Sequence, residues 1–170
     1  MPVGFGHAIK TRGRPLSVMA HLKKSIVEVK ATDNCLTHAL VIAIARVDND
    51  SNYKSYHDGW KIRPVVKNLL ETTDIDLING AGIPELTTFQ EQFREYKIVV
   101  YQVLSCDSIM FEGHVESSKR LNQLYDVVGR HYHGITKQTG ATARQYVCKA
   151  CNKDCRSDST QSAIRCVVTA

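Results

Sequence analysis

The sequence predicts an α+β domain, and three observations carry that assignment. Apolar residues alternate over Ser25–Lys30, as in a short strand. From Cys35 to about Arg46 they cover nearly every side of a helix, as in an element buried at the centre of a core. After Lys97 the period shortens to that of strands, in three runs separated by turns. The expected architecture is a central buried helix packed on an antiparallel meander, with a short cysteine-rich tail behind it.

The elements follow in order. Residues 1–24 hold Gly4, Gly6, Gly13, Pro2 and Pro15 among basic residues and read as an extended arm. Asp33-Asn34 turns the chain from the first strand into the helix that Cys35 opens. Residues 47–59 are rich in Asp, Asn and Ser and are expected to form a loop. Ile62, Val65, Val66, Leu69 and Leu70 recur at helical spacing, with Pro64 fitting a first turn. Gly80-Ala-Gly82-Ile-Pro84 breaks the chain before a short helix that aligns Leu86, Phe89 and Phe93. Strands are expected over Lys97–Leu104, Ile109–His114 and Leu121–Val128, with the triplet His131-Tyr132-His133 closing the last of them. The domain is expected to span 25–139, and a cysteine-bearing tail 146–170.

The composition, 43% hydrophobic and 23% charged, is that of a globular protein whose 170 residues suffice for one core. No apolar run reaches the roughly 18 residues of a membrane span, and no secretory leader is evident, so an intracellular protein without a membrane partner is expected. The net charge of +5 belongs to the arm: Lys10, Arg12, Arg14, Lys23 and Lys24 all precede the first acid, Glu28. Such an arm either contacts DNA phosphates or is a solvated terminus.

Cys35 is the candidate nucleophile. The unpaired N–H groups and dipole of a helix N-terminus stabilise a thiolate, so its pKa is expected to fall. His131 and His133 are candidate bases. Two apart on an extended strand they point the same way, while Tyr132 points oppositely, into the core. Backbone N–H groups of the Asp33–Cys35 turn, which includes Asn34, supply candidate oxyanion donors. The competing reading makes Cys35 a packing residue, since cysteine is among the most often buried side chains. His38, one turn beyond Cys35, reads as a partly buried helix residue.

Asp33-Asn-Cys-Leu36 followed far downstream by His131-Tyr-His133 resembles the ovarian-tumour-type cysteine peptidases, whose fold is papain-like. More closely, residues 14–166 resemble the segment before the family-B DNA polymerase of Polinton (Maverick) virus-like transposons. The matching stretches are Arg14-Pro-Leu-Ser-Val-Met-Ala-His21, Ser25–Lys30, Asp33–Leu36, Ala39–Ala45, Phe89-Gln90, His131–His133 and Tyr146–Cys151. The resemblance implies a thiol-dependent peptidase acting on ubiquitin-type conjugates, with Cys35 as nucleophile and His131 as base. His133 stands where the family carries an orienting Asn or Asp, and the turn before Cys35 is shorter and lacks the family's glycine. The alternative is a catalytically inactive module, or a fragment, of such a polymerase protein that binds nucleic acid or a partner. Polymerase carboxylate motifs are not identifiable in this length.

In the tail, Cys148-Lys-Ala-Cys151 has the spacing of a metal knuckle. Cys166 offers a third thiolate, and Cys155 the fourth unless the module is cut short at Ala170. The expected cofactor is one structural zinc ion; the alternative is four free thiols.

Overall fold

A computed structural model describes residues 25–77, 80–102, 108–138 and 141. The expected arm and the whole cysteine tail lie outside the described residues.

The elements run β1 (Ile26–Val27), α1 (Cys35–Val47), α2 (Tyr53–His57), α3 (Ile62–Thr73), α4 (Ile83–Gln92), β2 (Lys97–Tyr101), β3 (Ile109–Glu112), β4 (Arg120–Asp126) and β5 (His131–Ile135). The domain is α+β, as predicted. Its five strands form one sheet in the order β1-β5-β4-β2-β3. The antiparallel meander is overturned, because β2 and β4 are parallel, with Ile98 beside Leu121 and Tyr101 beside Leu124. The reason is the path of residues 113–119. β3 returns along the outer edge of β2, and the chain then crosses back to begin β4 on the other edge. Gly113 N–H donates to the Ile98 carbonyl (2.8 Å) and Lys97 N–H to the Lys119 carbonyl (2.9 Å), which ties both ends of that crossing to β2.

The His-Tyr-His triplet opens β5 rather than closing β4: a turn at 127–130, with Arg130 at φ 50°, reverses the chain between them. The expected first strand is also shorter, since only Ile26 and Val27 pair with β5. The expected loop at 47–59 contains α2, a five-residue helix without a buried side chain. No apolar stripe marks it in the sequence, so periodicity could not detect it.

α1 packs on β4 and β5 and against α3. Leu36, Ala39 and Leu40 are wholly buried and share one cluster with Val27, Ile98, Val100, Leu121, Tyr125 and Tyr132 from the sheet. Burying each leucine contributes about 1.5–3 kcal/mol. The opposite sheet face carries Ile26, Val99, Tyr101, Leu124 and Ile135, packed with Ala141. The sheet is therefore apolar on both faces, and the period-two alternation holds on β4 and β5: Tyr125 and Tyr132 face α1, while Leu124 and Ile135 face away.

α4 begins with Gly82 N–H donating to the Glu85 carboxylate (2.6 Å), and Pro84 fits the first turn. At its far end, wholly buried Gln90 accepts from Ile98 N–H (2.9 Å) and donates to the Tyr96 carbonyl (2.8 Å), which clamps the helix to the start of β2. Gly113 lets this side chain pass: a Cβ there would stand 1.7 Å from Gln90 Oε1.

Candidate functional site

The site lies where β1 and β5 part. Thr136 N–H donates to the Ser25 carbonyl (2.9 Å). Main-chain groups alternate sides along a strand, so Gly134 and Tyr132 also present theirs toward β1. Gly134 pairs with Val27, and one further step would set Val29 opposite Tyr132. That step is not taken. Val29 N–H donates instead to His133 Nδ1 (3.3 Å), and the Val29 carbonyl accepts from His131 Nε2 (2.8 Å). The released amide of Tyr132 meets the sulfur of Cys35. A wedge-shaped gap is thus open between the segment after β1 and the start of β5, and both imidazoles fill it, whereas Cys35 is buried in the cluster on the Tyr132 side of the strand.

The bonding fixes the proton positions. A carbonyl only accepts, so His131 carries its proton on Nε2; an N–H only donates, so His133 Nδ1 is bare. His131 Nδ1 is therefore the basic nitrogen of its neutral ring. The two rings lie 4.8 Å apart, on the same side of β5, and Tyr132 points into the core with its hydroxyl donating to the Ala81 carbonyl (3.1 Å). Both orientations match the sequence expectation.

The electrostatics correct another expectation. Burial pushes the Cys35 thiol up, against the opposing pull of the N–H groups of Tyr132, Leu36 and Cys35 itself. The dipole argument is right in sign, but at 3% exposure desolvation of the thiolate outweighs it. His131 is shifted down, mainly by burial, with the Val29 carbonyl, Asp126 and Glu28 pulling the other way. His133, 5% exposed, is lowered to about 3 by burial and by the neighbouring His131 charge. At neutral pH Cys35 is therefore a thiol and both imidazoles are neutral.

The turn before the helix contributes through its backbone. Asn34 sits in the left-handed region (φ 53°), which Asn tolerates better than most residues, and its side chain makes no capping bond. Its carbonyl accepts from the His38 N–H (3.0 Å) and lies 3.1 Å from the His38 ring Nδ1. Asp33 is exposed. Of the expected oxyanion donors, the N–H of Cys35 acts on the sulfur, joined by that of Leu36, which lies outside the expected turn.

Sequence reasoning missed Val29 and Tyr125. Val29 acts through its main chain, which no residue type reveals. Tyr125 shares the Cys35 cluster, and its buried hydroxyl has no hydrogen-bond partner. Cys148, Cys151, Cys155 and Cys166 lie outside the described residues, and among the described residues no three His, Cys, Asp or Glu side chains form a metal-binding group. Among the same residues no helix is long and apolar enough to cross a membrane. No protein-family model, curated protein or solved structure matches the chain.

Proposed function

We propose that residues 25–139 are a cysteine peptidase-like domain of the ovarian-tumour type, part of a replication protein of a Polinton-like mobile element, with its thiol site shut in this conformation. One observation carries the reading: the Cys35 sulfur meets the amide of Tyr132, the residue between the two candidate bases. When the segment bearing Val29 moves away, His131 Nδ1 takes the thiol proton and the thiolate attacks a substrate carbonyl carbon. The N–H groups of Cys35 and Leu36 hold the oxyanion. Protonated His131 then delivers its proton to the leaving amine, and water cleaves the resulting thioester. Freed from Val29 and neutral, His133 then accepts from His131 Nε2–H, which orients the base less strongly than a carboxylate would.

A second reading is an inactive module that binds a partner, or DNA through the basic arm. It is favoured by the burial of Cys35 and by the engagement of both imidazoles with Val29. Ubiquitin bearing a C-terminal alkyne electrophile separates the two. The peptidase reading predicts an adduct on Cys35, identified by peptide mass spectrometry and lost in Cys35→Ala and His131→Ala. A folded chain that forms no adduct, even with Val29→Gly loosening the wedge, leaves the binding module.

A further inference from the structure

The chain's single tryptophan, Trp60, is 73% exposed, although the described core buries every other large aromatic at least in part. It follows Gly59 and precedes α3, and both Gly59 and Ile62 line a cleft walled on its far side by the segment after β1. Lys30, Arg63, His38 and His57 line the same cleft. Lys61 flanks Trp60 directly, and Lys54, six residues before Trp60, lies within electrostatic reach of Asp58 together with Lys30. Lys30, Lys54, Lys61 and Arg63 are all exposed. Against them stand Glu28 in the cleft, Asp33 near His38, and Asp58, whose carboxylate lies 3.0 Å from His57 Nδ1.

A solvent-facing indole flanked by exposed lysine and arginine side chains has a specific use. The Trp60 indole presents a large flat face to solvent. Bases stack on such a ring whatever their sequence, while lysine and arginine follow the phosphates. A duplex hides its base faces within the stack, so this arrangement favours an unpaired strand. We infer that the surface around Trp60 binds single-stranded nucleic acid, with the indole stacking on a base and Lys61 and Arg63 holding adjacent phosphates. The assignment concerns the folded domain, not the N-terminal arm, and stands whether or not Cys35 is catalytic.

Because Trp60 is the only tryptophan, its emission reports on this surface alone. The full chain is titrated with an oligothymidylate of about 12 nucleotides, within the span of known single-strand sites. Quenching is expected, with affinity falling as salt rises. Exposed Lys61 and Arg63 can be changed without disturbing the core, and Lys61→Glu with Arg63→Glu is expected to weaken the quenching affinity at least about tenfold. Retained circular dichroism establishes that the variant is folded. Absence of quenching at low salt overturns the inference. So does quenching unaffected by the double reversal, or binding seen by anisotropy without any change in Trp60 emission. Quenching by phosphatidylserine vesicles but not by the oligonucleotide reassigns the surface to lipid and equally overturns it.

Discussion

The amide of Tyr132 addresses the sulfur of Cys35, at the position where the next residue of a sheet ladder would bond. A thiol at the head of a buried helix and a strand starting 96 residues later are thereby joined through one peptide group. The contact exists because β1 leaves β5 after Val27. Had the ladder continued, Val29 would have taken that amide, and the imidazoles would have had no main-chain partner there.

Acid should loosen this arrangement before it reaches the carboxylates. An unfolded histidine takes a proton near pH 6.5, but folded His133 does so only at about 3. The unfolded chain therefore binds more protons across that interval, and stability falls as pH drops from about 6.5 toward 3. His131 acts in the same direction. Asp48 and Asp58, held below the usual carboxylate range by their hydrogen-bond partners, add acid sensitivity only around and below their ordinary pKa of 3.8. Urea unfolding at pH 7 and pH 4.5 should differ by on the order of 1–3 kcal/mol, and His133→Gln should reduce the difference. An unchanged midpoint would show that the ring is not buried neutral.

Gly113→Ala should destabilise by about 2–4 kcal/mol, the range for overpacking combined with a broken buried hydrogen-bond set. The new methyl would displace Gln90 from Ile98 and Tyr96. Gln90→Ala within the Gly113→Ala background should cost much less than Gln90→Ala alone, a non-additivity that a thermal or urea double-mutant cycle measures directly. Simple additivity would mean that the two residues do not meet.

Tyr132→Phe removes only the hydroxyl that donates to the buried Ala81 carbonyl. A loss of about 1–2 kcal/mol is expected in urea unfolding. The backbone amide of residue 132 is untouched, so the reactivity of Cys35 should stay as in the parent chain. A large change in thiol reactivity would mean that the ring, not the amide, governs the sulfur.

Periodicity made the large apolar elements legible. α1, α3, α4 and the buried strands announce themselves through side chains that must leave water, and the opposed directions of Tyr132 and the two histidines follow from strand geometry. The parallel pairing of β2 with β4 was not legible, since each run is apolar whichever neighbour it takes and the crossing is set by backbone bonds at Gly113 and Lys119. α2 escaped because it buries nothing. At the candidate site the residue types were legible and the balance of forces was not. A helix N-terminus is visible in a sequence, but the burial that overrides it at Cys35 is a property of the whole packed domain.

The most direct measurement is the rate of Cys35 alkylation by iodoacetamide as a function of pH, followed on its own peptide by mass spectrometry in the parent chain and in Val29→Gly. A shut site predicts slow reaction in the parent at neutral pH, rising only above the ordinary thiol range, and faster reaction when Val29 is loosened with the fold retained. Rapid neutral-pH alkylation of the parent, unaltered by the Val29 change, would contradict a buried thiol closed in by Val29.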